Sequence, residues 1–593
     1  MTTRSQQGGL RAALTFLCLM SSGAFAQMAS QLTPASVRPK PLAVQGEVSI
    51  PELSGPEAPK GADRLKVRLA GVTIDGGADK ADAGDAIAAA HAEFNASIAN
   101  KTVTVAEIFA AARRLEAAYG RAGFVLTRVV VPAQKLRDGG RVRVVVVDGF
   151  IERIETQDLP SLVKSRIEAV LAPLIGRKSI KLPEIERALV LAGDTPGTLL
   201  KSTLAAGTMP GGSVLIIEAR HKLVTGSFTL DNTISSSLGG VNATLALQLN
   251  SALGLGEQIY TQIGGDPFAT GDAAYFAPHP TNRQLSAGVV VPLGVDGWSA
   301  NIEAIRTDSA PDPSAGQQFY SEFERYSSRL KYAFVRSRAF NLSNEAAFDV
   351  EQEELYALSP TYAPISRDRL RVLRDTTDIS GTTPWGAFLS GRLIASLGID
   401  GLGARDKGDA TPLLPLSRQG SDASFGKLEL SSHYGQLLAD HIGIDLFVQG
   451  QTSFGRPLAR AEQIGLVGGN GLTAFGAGTF QGDSGAIGRA ELSSPWRVDL
   501  MTGAASVSPY AFGDIGAIWL MQPTSIEHNE VTAGSAGLGV RVGAAPNPPG
   551  SPKTNEFSGI IDQVNLSLEW GHQYRSDGQP AGERFTFSSA IQF

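Results

Sequence analysis

From about Leu223 to Phe593 apolar and polar residues alternate in short segments, separated by clusters of Gly, Pro, Asp, Asn and Ser. A period of two places successive side chains on opposite faces of a strand. In VNLSLEWGHQY, Val564, Leu566, Leu568, Trp570 and Tyr574 share one face, and Asn565, Ser567, Glu569 and Gln573 share the other. HIGIDLFVQG sets Ile442, Ile444, Leu446 and Val448 against Asp445 and Gln449, and FGKLELSSHY alternates likewise. Roughly sixteen such segments leave about 23 residues for each strand with its connection, and a tilted strand crosses a bilayer in about 9–11. Polar and charged residues at alternate positions argue against a dry sandwich core on that face. They suit a water-filled lumen, and the apolar set suits lipid. The pattern predicts a transmembrane β-barrel of about 16 antiparallel strands over residues 223–593.

Between Leu65 and Lys222 the pattern is mixed α and β, and the order of elements occurs twice. Over 65–149, LKVRLAGVTI reads as a strand. Thr104 and Glu107 form a capping box ahead of Ile108, Ala112, Leu115 and Tyr119 at helical spacing, and Gly120 and Gly123 end that helix. FVLTRVVVP and RVRVVVVDG then read as a two-stranded ribbon about Asp138-Gly139-Gly140. Over 150–222, the strand FIERIETQ precedes two helices, SLVKSRIEAVLAPLI and LPEIERALVLAG, and a strand pair about Pro210-Gly211-Gly212. Residues 27–64, rich in Pro, Ser, Gly and Ala, read as an extended linker or a plug threading the lumen.

The length of 593 residues calls for several units, and the formal charge of −6 gives no sign of a nucleic-acid-binding face. Residues 1–26 carry Arg4 and Arg11, an apolar run from Ala12 to Met20, and Ala24-Phe25-Ala26 before Gln27. This fits a secretory signal. The only cysteine, Cys18, lies in that run, so the processed chain is expected to hold no thiol, disulfide or Cys-based metal site. No later run of about 18 apolar residues occurs, which excludes an α-helical span and leaves periplasm, outer membrane or medium. The seven histidines lack metal-ligand spacing, and neither metal nor cofactor is expected. GNGLTA, Gly469 to Ala474, has dinucleotide-loop spacing, but FGAGTFQGDSG after it makes a poor helix start. GDSG places Ser484 in a protease-like tetrapeptide without an accompanying histidine motif, so no enzymatic activity is expected.

The two α/β units resemble POTRA domains. Signal, Pro-rich lead, two such units and a large barrel together resemble a two-partner secretion transporter (TpsB), the ShlB/FhaC/HecB-type haemolysin secretion/activation proteins. GRAGFVLTRVVVP, Gly120 to Pro132, resembles the turn and strand of the family's first POTRA, and LAGDTPGTLLKSTLAAG, Leu191 to Gly207, a segment of its second. The tail RFTFSSAIQF, with Phe585, Phe587, Ile591 and Phe593, resembles the C-terminal signal by which outer-membrane barrels are recognised for insertion.

In this family a lumen loop carries a Val-Arg-Gly-Tyr type motif whose arginine pairs with the aspartate of a Phe-x-Asp-x-Gly wall motif. PYAFGDIGAIW supplies the wall motif as Phe512, Asp514 and Gly516. The loop is framed by Gly468-Gly469 and by FQGDSG with Asp483, but the tetrapeptide reads Leu472-Thr473-Ala474-Phe475. Its arginine is absent. Asp514 is then left to water, to Arg456, Arg460 or Arg489, or to a hydrogen bond from Thr473.

The resemblance implies export of an unfolded exoprotein with an N-terminal secretion domain, captured by the POTRA units and passed through the lumen without nucleotide hydrolysis. It implies a monomer in outer-membrane lipid, folded by the barrel-assembly machinery, with its POTRA units in the periplasm and no nucleic-acid partner. Capture by β-augmentation would use an edge near Phe124, Val125, Thr127 and Val129. The rival readings are a barrel-insertion protein of the same superfamily, which usually carries more than two POTRA units, and a barrel acting as passive pore or as a binding or display protein.

Overall fold

The computed structural model describes residues 28–39, 48–49, 56–77, 80–156, 159–312, 318–359, 361–468, 471–500, 503–545 and 562–593. The expected signal sequence, parts of the Pro-rich lead and Gly469 lie outside them. Among the described residues no helix is long and apolar enough to cross a membrane.

Strand β1 (Val48–Ser49) belongs to the second α/β unit. The first unit holds β2 (Lys66–Leu69), β3 (Gly71–Gly76), α1 (Lys80–Ile98), β4 (Lys101–Thr104), α2 (Val105–Arg121), β5 (Arg128–Val130) and β6 (Arg141–Val147). β3 runs parallel to β6 and β5 antiparallel to it, while β2 and β4 form a separate ribbon. The capping box forms as expected: Glu107 N donates to Thr104 Oγ1 at 3.2 Å, and Thr104 N to the Glu107 carboxylate at 2.6 Å. Ile108, Leu115 and Tyr119 of α2 pack with Val142, Val144 and Val146. Helix α1 was not anticipated. Its many alanines give no clear apolar stripe, and Gly84 breaks it with φ +65°, yet Ile87, Phe94 and Ile98 bury one face in the same core.

The second unit holds β7 (Phe150–Glu155), α3 (Ser161–Leu171), α4 (Leu182–Gly193), β8 (Thr198–Ala206) and β9 (Gly212–His221), with sheet order β1-β8-β9-β7. Val48 and Ser49 pair in parallel with Ser202 and Thr203 on the β8 edge, so the chain's own lead extends this sheet. The unit is braced against the barrel. Arg336 binds both Asp194 oxygens, at 2.7 and 2.5 Å, and Arg187 donates to the carbonyls of Ala333 (2.7 Å) and Asp296 (2.8 Å).

The barrel begins with β10 (Val224–Asp231), β11 (Asn242–Asn250), β12 (Gln258–Gly265), β13 (Asn282–Leu293), β14 (Trp298–Ser309) and β15 (Gln318–Arg336). It continues through β16 (Phe340–Ser359), β17 (Ala363–Thr382), β18 (Phe388–Gly398), β19 (Gly426–Ala439) and β20 (Ile442–Thr452). A loop follows, pinned by the two-residue ribbon β21 (Ile464–Gly465) and β22 (Gln481–Gly482). Then come β23 (Ser484–Ser493), β24 (Trp496–Leu500), β25 (Gly503–Trp519), β26 (Glu530–Ala545), β27 (Gln563–Arg575) and β28 (Glu583–Gln592). β23 and β24 both pair with β25 and together fill one stave, so the closed antiparallel barrel has sixteen. β28 closes it against β10, from Ser227 opposite Gln592 to Asp231 opposite Ser588. A Cβ on Gly226 would meet the Phe593 ring at 2.6 Å, so the closing seam takes only glycine there. Closure leaves no strand edge unpaired in lipid.

The two faces follow the alternation. Ile302, Leu330, Leu373, Leu430, Val448, Leu492, Ile515, Leu538 and Leu566 are exposed on the outer wall, where lipid covers them. Trp298, Phe334, Phe340, Trp385, Phe388 and Trp496 ring the end that carries the α/β units, as an interfacial girdle does. Strands β15 to β17, with 19, 20 and 20 residues, exceed what a bilayer needs and project beyond it at the far end.

Candidate functional site

The lumen is filled from two directions. Residues 28–39 run along its wall as a 3₁₀ turn (Ala29–Leu32) followed by an irregular stretch: the Ser30 amide and hydroxyl reach the Glu353 carboxylate at 3.0 and 2.9 Å, and the Ser36 hydroxyl reaches Glu303 at 3.1 Å. The carbonyls of Pro34 and Ala35 accept from Arg325 (2.8 Å) and Arg329 (3.4 Å), and Arg38 pairs with Glu345 at 2.9 Å. The Met28 side chain packs on Phe319, Leu355 and Ala357. Wall groups thus bind this segment largely through its backbone and hydroxyls.

The loop between β20 and β23 enters from the far end and is held at three points. Near its root Asp483, fully buried, accepts from Met521 N (2.7 Å), Leu458 N (3.0 Å), Gln463 (3.1 Å) and Arg418 (3.2 Å). At its shoulder Glu462 meets Arg374 of β17 at 2.5 Å and Lys427 of β19 at 2.9 Å, while Arg374 also binds Asp349 (2.6 Å) and Glu351 (2.9 Å) of β16. At its tip Leu472, Ala474 and Phe475 are buried, with Leu472 and Phe475 in a cluster with Leu466, Phe480, Ile487 and Ile518. A Cβ on Gly516 of the wall motif would sit 2.9 Å from Ala486 O and 3.0 Å from Leu466 Cδ1, so glycine lets the loop press against the wall. Gly468 is partly exposed at the rim of this turn.

The charge of the absent loop arginine comes from the wall. Arg489 of β23 stands opposite Asp514 of β25 in register and donates to it at 3.1 Å. The same guanidinium reaches Glu491 at 2.8 Å and Glu569 of β27 at 2.6 Å, and lies 4.1 Å from the centre of the Phe512 ring. Asp514 also accepts from the Ser535 amide and hydroxyl, both at 2.7 Å. Thr473 does not reach Asp514. Its hydroxyl accepts from Arg489 at 2.7 Å and donates to Glu569, and its carbonyl accepts from Thr586 at 3.1 Å. The loop therefore docks through the arginine rather than bringing one. Arg456 and Arg460 lie elsewhere: Arg456 donates to Ser424 O at 3.3 Å, and Arg460 to Ser417 O at 3.3 Å.

One further expectation changes. Phe124, Val125, Thr127 and Val129 are all buried. Phe124 and Val129 pack in the first α/β core and Val125 in the second, because the chain crosses between the units there. Their side chains cannot line a groove, and the Val129 amide of this edge is already taken by the buried Glu116 carboxylate at 2.8 Å. The Ser484 hydroxyl meets the Ser453 amide (3.0 Å) and hydroxyl (3.3 Å), which places it in the loop root. Of the C-terminal residues, Phe585 is exposed on the outer wall, and Phe593 exchanges backbone hydrogen bonds with Gly226 (2.9 and 3.0 Å). The Arg374–Glu462–Lys427 and Arg418–Asp483 contacts had no sequence signal, since each joins segments 50 or more residues apart or a loop without period.

A model of the family described as haemolysin secretion/activation protein ShlB/FhaC/HecB matches residues 211–542, more than half of the chain. The chain belongs to this family. A ShlB-type POTRA domain model matches residues 88–149. The ShlB/FhaC/HecB-type chain is 24% identical over 388 residues to the outer membrane transporter CdiB of Dickeya dadantii (strain 3937), spanning 65% of each. With the outer membrane transporter CdiB of Escherichia coli it shares 24% over 198 residues, about a third of each. It thus covers less than two thirds of these relatives. In fold it is similar to CdiB from Escherichia coli, with a TM-score of 0.68 and 18% identity over 92% of this chain and 94% of that one. It is also similar to CdiB from Acinetobacter baumannii, with a TM-score of 0.59 and 14% identity over 99% and 98%. Family and barrel place the molecule in the outer membrane, with the α/β units in the periplasm.

Proposed function

We propose that this chain is an outer-membrane protein translocase: its POTRA units take an unfolded exoprotein from the periplasm, and its lumen passes that chain outward. The observation that carries the reading is the chain segment 28–39 seated against the lumen wall, where Ser30, Pro34, Ala35 and Ser36 are held through backbone atoms and hydroxyls. A wall that binds polypeptide backbone suits cargo of any side-chain sequence. No nucleotide is available on that side of the cell, so folding of the cargo outside supplies the direction. At the β5 edge the Val129 amide donates to the buried Glu116 carboxylate at 2.8 Å, so capture there by strand addition would have to displace that contact.

In this reading residues 1–26 are a signal, 27–64 a plug and linker, 65–149 and 150–222 the two POTRA units, and 223–593 the barrel. The partners are a secreted exoprotein with an N-terminal secretion domain, outer-membrane lipid, and the barrel-assembly machinery during biogenesis; the transporter works as a monomer. Deleting the gene and comparing culture medium, cell surface and outer membrane tests this. Loss of one large exported polypeptide supports it. Widespread loss of outer-membrane barrels would assign the chain to barrel insertion instead.

A further inference from the structure

The outer wall changes character along its longest strands. Ile302 and Ala304 of β14, Leu330 and Tyr326 of β15, Phe348 and Val350 of β16 and Leu373 of β17 form its apolar part. Toward the medium the next outward positions are Arg306, Glu324, Gln352 and Arg371. This switch marks where acyl chains give way to headgroups.

Most charges above the switch are neutralised in place. Arg283 pairs with Asp308 at 2.8 Å, Arg306 with Glu322 at 2.9 Å and Arg367 with Glu354 at 2.8 Å. Arg369 and Arg371 are different. Among the described residues Arg369 makes no side-chain hydrogen bond or ion pair, and its Nε is shut off from solvent without an acceptor. Arg371 donates only to the carbonyls of Leu402 (3.0 Å) and Leu370 (2.7 Å). Beside them Arg405, on the loop that continues the sheet past β18, commits both terminal nitrogens to carbonyls, those of Arg367 (2.6 Å), Pro415 (3.3 Å), Asp409 (3.2 Å) and Leu414, and contributes its charge rather than free donors. Asp400, Asp406 and Asp409 of that loop form no ion pair with any of the three among the described residues.

Three guanidinium groups without a carboxylate, directly above Leu373, make an anion site at headgroup height. We propose that Arg369 and Arg371, with the charge of Arg405 beside them, dock the phosphate groups of the phosphorylated glycolipid that forms the outer leaflet. The arginine fork matches phosphate oxygens two at a time, and a partly dehydrated setting strengthens each contact. A lipid headgroup is the occupant because the Arg369 and Arg371 side chains point away from the lumen, on the wall face opposite the buried Asp368, Leu370 and Val372. The site is independent of what the lumen conducts.

Native mass spectrometry of the full chain in detergent tests it, with bisphosphorylated lipid A, its dephosphorylated form, phosphatidylglycerol and inorganic phosphate as separate probes. The expected result is tightest binding of the bisphosphorylated lipid, weakened at least about tenfold by R369Q/R371Q and unchanged by K407Q, which removes an exposed charge elsewhere on the same loop. Barrel integrity of each variant is read from its heat-modifiable gel mobility. Equal binding of lipid A and its dephosphorylated form by the unaltered protein would overturn the proposal without any variant. So would equal binding of phosphatidylglycerol or free phosphate, or a correctly folded double variant that binds like the parent.

Discussion

Replacing Arg489 by methionine keeps the bulk of the side chain and removes the cation that, alone among the described residues, touches Glu491, Asp514 and Glu569 together, at 2.8, 3.1 and 2.6 Å, leaving Arg541 on Glu491. Arg489 is 6% exposed, so its three carboxylates lose an interior partner rather than a surface one. Breaking a buried pair from one side costs about 3–5 kcal/mol. The lost contact with the Phe512 ring adds up to about 2 kcal/mol. The barrel's backbone ladders do not depend on the Arg489 side chain, and the carboxylates left without it regain water only when the loop tip moves off them, so the cost falls on the docked state. At about 1.4 kcal/mol per factor of ten, 3–5 kcal/mol raises the undocked population roughly 10²-fold or more. Hydrogen exchange of the segment Leu472–Phe480 should quicken by that order in R489M, with β15 to β17 unchanged. Because the Thr473 hydroxyl already lies 2.7 Å from the Arg489 guanidinium, an arginine at 473 starts within reach of the same carboxylates. T473R/R489M should therefore regain part of the protection. Exchange in R489M within about threefold of the parent would refute the claim that this cluster anchors the loop, whatever the double variant does.

Deleting residues 28–39 should raise single-channel conductance in planar bilayers, since the segment occupies lumen volume beside Glu303, Arg325 and Arg329; unchanged conductance would show that the loop alone closes the pore. E462Q should free the loop shoulder from Arg374 and Lys427 while leaving the tip docked, so exchange should quicken near Arg460–Gln463 but not at Leu472–Phe475. In the first α/β unit, burial pushes the His91 imidazole below its usual value, against the Tyr119 hydroxyl at 3.0 Å. The neutral form is thus favoured by the fold. The unfolded chain takes up the proton first, so stability is complete above about pH 6.5 and falls as pH drops below it. Proteolysis across α1 and α2 should accelerate between about pH 7 and pH 5, and H91Q should flatten that dependence.

What the sequence reveals depends on whether a pattern is local. Wall strands announce themselves because lipid and lumen impose a period of two on every crossing, and Val564 to Tyr574 shows it within one segment. The α1 helix escaped because KADAGDAIAAAHAEF carries alanine on nearly every face, and only its tertiary neighbours show that Ile87, Phe94 and Ile98 are the buried stripe. The edge near Phe124 misled for a related reason: strand-like apolar residues mark burial, and burial removes them from any surface that could meet cargo.

The partner of Asp514, by contrast, was within reach. In an antiparallel pair joined by a short turn, opposite residues have a constant sum of positions. Leu500 faces Gly503, and Arg489 faces Asp514 on the same rule. Taking Leu500 and Gly503 as the innermost pair would have selected Arg489 over Arg456 and Arg460, which lie within the lumen loop and share no hairpin with Asp514. Moving the cation from loop to wall has a physical consequence as well. A loop arginine leaves with the loop and uncovers its carboxylates, whereas Arg489 stays on β23 and keeps Glu491, Asp514 and Glu569 neutralised when Thr473 departs. Undocking then breaks hydroxyl contacts rather than stripping charge from a buried cluster, so this loop should leave the wall at lower cost than one that carries the arginine itself.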